Sequence, residues 1–167
     1  METAAGSSGP AAGNTRTTAD NEVRELYHAL LDGWNRRSAG NMAALFTRDG
    51  NSIGFDGSMM NGAAEIESTI SLIFSGHQTA SYVGIVRSIS FPKPGVALLL
   101  AVVGMVPPGG SDIKPDVNAI QSVVAVEENG AWRIALLQNT PAAFHGRPEA
   151  VEALTGELRR AYHADSV

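Results

Sequence analysis

The chain has 167 residues, enough for one domain that buries about two-thirds or more of its unfolded surface. With 44 % hydrophobic and 17 % charged residues it reads as globular, and a net charge of −5 without a cluster of Lys and Arg argues against nucleic acid as a partner. The absence of cysteine removes disulfides and thiol catalysis, and the longest apolar run, Val96 to Val106, is too short to span a bilayer as a helix, so the expected setting is cytoplasmic without a membrane partner.

Residues 1–19 are small and polar, lack the basic start and apolar stretch of a signal peptide, and read as a disordered tail. A domain is expected over 20–145, followed by a helical extension over 146–167. Val23, Leu26, Tyr27, Leu30, Leu31 and Trp34 recur at helical spacing and predict a first helix capped by Asp20, with Arg36 and Arg37 at its negative end. A short second helix is expected over Asn41–Phe46, with Asp49-Gly50 as the turn that closes it. Asn51–Phe55 reads as a short strand, Asp56-Gly57 as a turn into Ser58–Met60, and 63–75 as a third helix. From Ala80 the period changes to two. Ser81–Phe91 and Val96–Val106 read as strands around the Pro92–Gly95 turn, and a loop opened by Pro107-Pro108-Gly109-Gly110 ends near Pro115. Asp116 to Phe144 reads as a long hairpin turning at Asn129-Gly130, a dipeptide suited to positive φ. Arg147-Pro148 then starts an amphipathic segment with Val151, Leu154 and Leu158.

Strict alternation outward from the hairpin turn puts Trp132, Ile134, Leu136 and Gln138 on one face with Glu127, Ala125, Val123 and Gln121. Arg133, Ala135, Leu137 and Asn139 fall on the other face with Val126, Val124, Ser122 and Ile120. Both faces are apolar near the turn and end in amides. Such a sheet needs two covers, its own helices on one side and a second subunit on Val124, Val126, Ala135 and Leu137. Gln121 and Gln138 should then lie opposite one another, either paired or offered to a ligand. Asn139 belongs to the outer face unless a β-bulge intervenes.

Helices on one face of a curved antiparallel sheet make an α+β cone with an internal cavity. The chain resembles the nuclear-transport-factor-2-like superfamily, which includes ketosteroid isomerases and SnoaL-type polyketide cyclases. The resemblance covers roughly residues 20–145 and is carried by the Trp34 helix, Ala43-Ala44-Leu45-Phe46-Thr47-Arg48-Asp49-Gly50, Gly62 before the third helix, and Gly130-Ala131-Trp132-Arg133-Ile134 running to Gln138-Asn139-Thr140. That last ending is similar to the SgcJ/EcaC branch, whose members include proteins of enediyne antibiotic clusters. The resemblance implies a cavity walled by Trp34, Phe46, Ile53, Phe55, Met59, Ile70, Phe74 and Met105, with Asn139 as a polar contact; Gln121 and Gln138, from the hairpin pairing, and Asn118, at the strand entrance, are the other polar candidates. The same residues could equally fill a solid core.

For proton transfer the candidates are Asp49, Tyr27 and His77, with Asp56 a further carboxylate. Asp49 follows the second helix, near where the isomerases place their base, and equally suits a turn that bonds its own backbone. Tyr27 must find a partner if buried, and His77 can cap the third helix. His28, His77, His145 and His163 show no close pairing, so no metal site is expected. No glycine-rich nucleotide loop occurs, so no cofactor is expected. The residue pattern predicts a dimeric protein that binds a small apolar molecule without a cofactor, and the resemblance implies that this molecule is a polyketide or enediyne intermediate whose cyclisation or isomerisation it assists. The alternatives are a non-catalytic interaction or scaffold module with a filled cone, and a ketosteroid-isomerase-like enzyme.

Overall fold

A computed structural model describes residues 12–165. The first helix, α1 (Ala12–Asn35), starts ahead of Asp20, so residues 12–19 are helical where a disordered tail was expected. Residues 1–11 lie outside the described part. Asp20 is not a cap but pairs with Arg24 one turn on, at 3.2 Å, and the hydroxyls of Thr17 and Thr18 donate to the carbonyls of Gly13 and Asn14. The Asp20–Arg24 pair adds roughly 0.2–0.5 kcal/mol to the helix at this point, while the threonine bonds satisfy the hydroxyls within the helix without strengthening it. The predicted stripe is buried, with Val23 and Tyr27 at 1 % exposure.

The second helix, α2 (Ala39–Ala43), is shorter and earlier than expected, because Phe46 already belongs to a strand, β1 (Phe46–Ile53). Asp49-Gly50 therefore lies inside β1 and is not a turn. The physical reason is a close backbone approach. A Cβ on Gly50 would sit 2.7 Å from the carbonyl oxygen of Ile134, and the pairing register of β1 shifts between Phe46 and Asn51. Glycine here permits an irregularity within the strand. Strand β2 (Met59–Asn61) pairs back on β1, and α3 (Ala63–Gly76) follows. Arg37, at φ 58°, ties the first helical hairpin to the end of α3, donating to the carbonyls of Phe74 and His77 and to Thr79 Oγ1.

The remaining strands are β3 (Ser81–Lys93), β4 (Val96–Val106), β5 (Ala119–Glu128) and β6 (Ala131–Pro141), with α4 (Pro148–Ala164) at the end. Together with the first two they form one curved, unclosed six-stranded sheet in the order β2-β1-β6-β5-β4-β3, in which only the β1–β6 pairing is parallel. The β5–β6 hairpin turns at Asn129-Gly130 as predicted, with both residues at positive φ. Its register shifts once. Ala125 faces Ile134 but Val124 faces Leu136, leaving Ala135 as the extra residue of a bulge. Beyond it the alternation is inverted: Leu137 and Asn139 turn inward with Val123 and Gln121, while Gln138 turns out beside Ser122.

Alternation along β4 separates two cores. Ala97, Leu99, Ala101 and Val103 join α1, α2 and α3 on the concave side. Val102 and Val106 pack outward with Val83, Ile113, Leu154 and Leu158 under α4. Each such side chain contributes about 1.5–3 kcal/mol when fully buried, which explains why α4 docks here. Its half-exposed Arg159 also bonds both oxygens of Asp112, at 2.7 and 2.9 Å. With Ile113 buried and Lys114 N–H bonded to the Met105 carbonyl at 2.9 Å, the 107–115 loop is anchored to the convex side. The rest of the convex face carries half-buried Leu98, Val124, Val126 and Ala135 and exposed Leu100. Leu137, expected on this face, is withdrawn from it by the bulge and is 6 % exposed.

Candidate functional site

Between the helices and the concave sheet lies a cavity of about 360 Å³. The first helix supplies Leu30, Leu31 and Trp34, and α2 supplies Met42. From α3 come Ile70 and Ile73, and the first strands add Ser52 and Met60. The long strands close it with Tyr82, Met105, Ala119, Gln121, Leu137 and Asn139, with Val117 beside them. Gly54, Phe55 and Asp56, in the turn between β1 and β2, complete the lining. Trp34 is held by an indole N–H donated to the Ala80 carbonyl at 2.9 Å and by ring contacts with Phe74 and Tyr82 at 5.2 and 5.5 Å.

Of the expected wall residues, Trp34, Phe55, Ile70 and Met105 line this cavity. Phe46 and Phe74 are buried behind it, at 5 % and 9 % exposure, as core residues. Ile53 takes part through its backbone carbonyl. Met59 is 60 % exposed, and Met60, its neighbour across the alternation of β2, takes the inward position instead. Gln121 and Asn139 both line the cavity. Gln138 is exposed on the convex side, so the expected Gln121–Gln138 pair does not form. Asn118 is buried on the other side, where its Nδ2 donates to Thr155 Oγ1 of α4 at 2.9 Å and its Oδ1 has no partner among the described residues. It belongs to the α4 interface rather than to the cavity.

A directed chain of hydrogen bonds forms the polar floor. The Tyr27 hydroxyl donates to Gln121 Oε1 at 2.6 Å, Gln121 Nε2 donates to Asn139 Oδ1 at 2.8 Å, and Asn139 Nδ2 donates to the Ile53 carbonyl at 3.1 Å. Glycine at position 84 makes room for it, since a Cβ there would lie 3.2 Å from the Tyr27 hydroxyl and 2.6 Å from Leu31 Cδ1. Burial pushes the Tyr27 phenol well above its ordinary range and the neighbouring Tyr82 adds to this, so Tyr27 stays protonated and can donate. Tyr82 lies on the cavity wall, where burial pushes its phenol up to about 12. Sequence reasoning missed it, although its alternation with Gly84 and Val86 marks the inward face of β3.

The three proton-transfer candidates are not brought together. Asp49 is exposed in β1 and does not line the cavity, because its segment is strand rather than the turn expected there. His77 is the exposed residue ending α3, its backbone N–H bonded to Ile73 O at 3.0 Å, which is the capping position anticipated for it. Tyr27 is fully engaged in the floor. Among the described residues the carboxylate of the lining is Asp56, whose two oxygens accept from the Ser58 N–H and Oγ–H at 2.9 Å each. The Ser58 backbone bond, then its hydroxyl, holds this carboxyl below its ordinary range, which makes it a weak base. No group of three or more His, Asp or Glu among the described residues could hold a metal ion, and no described helix is long and apolar enough to cross a membrane.

No family model and no curated protein matches the chain. Solved structures do. A cystatin-like-fold domain of unknown function from Nostoc punctiforme superposes with a TM-score of 0.73 at 24 % identity, covering 82 % of this chain and 85 % of that one. A candidate scytalone dehydratase from Novosphingobium aromaticivorans gives 0.67 at 15 % identity, with coverage of 78 % and 88 %. A ketosteroid isomerase-like protein from Erwinia carotovora gives 0.58 at 14 % identity, with coverage of 74 % and 95 %. The chain thus has the α+β fold called cystatin-like or nuclear-transport-factor-2-like.

Proposed function

We propose that this chain binds a small apolar molecule, of polyketide origin, in the cavity between helices and sheet. The observation that carries this reading is an apolar hollow of about 360 Å³ with a floor of two amides. Small-molecule sites commonly have volumes of roughly 300–1,000 Å³, apolar walls and a few convergent polar groups. A scaffold with a solid interior would not need such a space. The polyketide assignment rests on the sequence resemblance to the SgcJ/EcaC branch. It accords with a wall of aromatics and methionines, the latter able to adapt to an irregular ligand. Homodimerisation over Leu98, Leu100, Val124 and Val126 would cover the remaining apolar part of the convex face.

Conformational restriction of the bound molecule is the contribution this site suits best. Holding a flexible chain in one reactive shape can favour cyclisation or isomerisation with few catalytic groups, and it requires no cofactor. Asp49 and His77 have no part in this reading. The test is titration of a synthetic conjugated polyene, followed by tryptophan fluorescence and product analysis. The wild type is expected to bind, and Ala119→Leu, which places a larger side chain in the cavity, to lose most of that binding while keeping its fold. Equal binding by both proteins would put the ligand elsewhere and end this reading.

A further inference from the structure

Granting that the cavity binds an apolar ligand, we infer that it selects ligands carrying a carbonyl oxygen, which the spare N–H groups of Gln121 and Asn139 and the Tyr82 hydroxyl receive as hydrogen-bond donors. The polarity of the floor follows from its last member. The Ile53 oxygen is a backbone carbonyl and can only accept. The Asn139 atom facing it at 3.1 Å is therefore the nitrogen, which turns Oδ1 toward Gln121. The Gln121 atom bonding that oxygen at 2.8 Å must in turn be nitrogen, which leaves Oε1 for the Tyr27 hydroxyl to donate to. One backbone carbonyl thus sets the orientation of both amides.

A carboxamide has two N–H groups, and the chain uses one from each side chain. Among the described residues neither nitrogen has a second acceptor. Both side chains line the cavity, and Gln121 is 1 % exposed. The unused lone pairs of the amide oxygens weigh less, because under-satisfied carbonyls are tolerated in proteins more readily than orphaned N–H groups. Tyr82 lines the same cavity from β3, and its hydroxyl has no hydrogen-bond partner among the described residues, which makes it a third donor available to a ligand. The unmet need of this floor is for an acceptor. An aryl or polyenyl ketone, quinone or lactone supplies one on a body that the apolar wall can hold.

The test uses the whole protein and a matched pair of probes, fluorenone and its hydrocarbon fluorene. Affinities are read by tryptophan quenching, and the fluorenone carbonyl stretch by infrared difference spectroscopy. The bound stretch is expected below its frequency in an alkane. Asn139→Asp replaces the donor nitrogen by an acceptor oxygen, and the ketone-to-hydrocarbon affinity ratio should fall about tenfold, the equivalent of one hydrogen bond of about 1.4 kcal/mol. Tyr82→Phe keeps the ring and the wall and should lower the ratio in the same direction, which covers the case of an Asn139 variant that fails to fold. An alkane-like stretch together with an unchanged ratio in Tyr82→Phe overturns the carbonyl inference and leaves the cavity reading intact. Failure of both probes to bind the wild type overturns both.

Discussion

The substitution Tyr27→Phe removes one oxygen from the centre of the molecule and little else. The ring is 1 % exposed and packed into the first helix's apolar stripe, so Phe keeps the burial of the side chain. What goes is the 2.6 Å bond to Gln121 Oε1, an oxygen with no other donor among the described residues. Stranding a buried acceptor costs about 1–3 kcal/mol. For a domain of this size 1 kcal/mol moves Tm by about 2–4 °C, so a fall of about 2–12 °C is expected. In urea the midpoint should drop with an unchanged slope, as only stability is altered. Gln121→Met alone should cost more, since it strands Tyr27 and Asn139 together, and the double variant should cost less than the sum of the two. Additivity within about 0.5 kcal/mol would refute the chain as a coupled unit. The pH arm carries a definite sign. Below the ordinary phenol value of 10.0 both folded and unfolded states keep the proton, so the raised Tyr27 value has no effect there. Above it the unfolded chain ionises first, and wild-type stability should fall by up to about 1.4 kcal/mol per pH unit for each shifted tyrosine. Tyr27→Phe should flatten that decline, and an identical slope would contradict the burial argument.

Gly50→Ala should destabilise by about 1–3 kcal/mol, because the 2.7 Å contact of its Cβ is with the Ile134 backbone oxygen, which cannot swing aside as a side chain can; a thermal melt decides. Asp49→Asn should change stability by less than about 0.5 kcal/mol and leave polyene affinity unaltered, whereas lost proton exchange in an isotope-incorporation assay would revive an isomerase role for it. Val124→Arg places a charge on the open half of the convex face. If the proposed dimer forms through this face, sedimentation should show it for the wild type and a monomer for the variant, and a wild type that is monomeric at micromolar concentration would remove the dimer altogether.

Periodicity carried most of the element plan. The stripe from Val23 to Trp34, the Asn129-Gly130 turn and the apolar run from Val96 to Val106 each state their structure through local spacing, and each forms where expected. Element limits were less legible. The first helix reaches back to Ala12 through residues whose composition suits a tail, where the threonine hydroxyls satisfy themselves on carbonyls of the preceding turn and do not break the helix. Asp49-Gly50 has the composition of a turn and the role of an irregular strand segment, because what matters there is a distant backbone oxygen. Trp34, Phe55, Ile70, Met105, Gln121 and Asn139 were identified for the site from the residue pattern and the family likeness. Tyr82, Ser52, Met60 and Leu137 were not, while Gln138, Asn118 and Met59 were placed there and lie elsewhere.

From the sequence alone came the α+β architecture, the hairpin turn and an apolar lining, because these depend on neighbours within a few residues and on a repeating period. Which amides meet in the cavity was decided by the tertiary structure. Alternation assigns faces only while the count is unbroken, and one extra residue at Ala135 inverts every assignment beyond it. Nothing local to Ala135 marks it as that residue. Its place is set by how β6 must lie between β1 and β5 at once, an agreement between strands far apart in the chain.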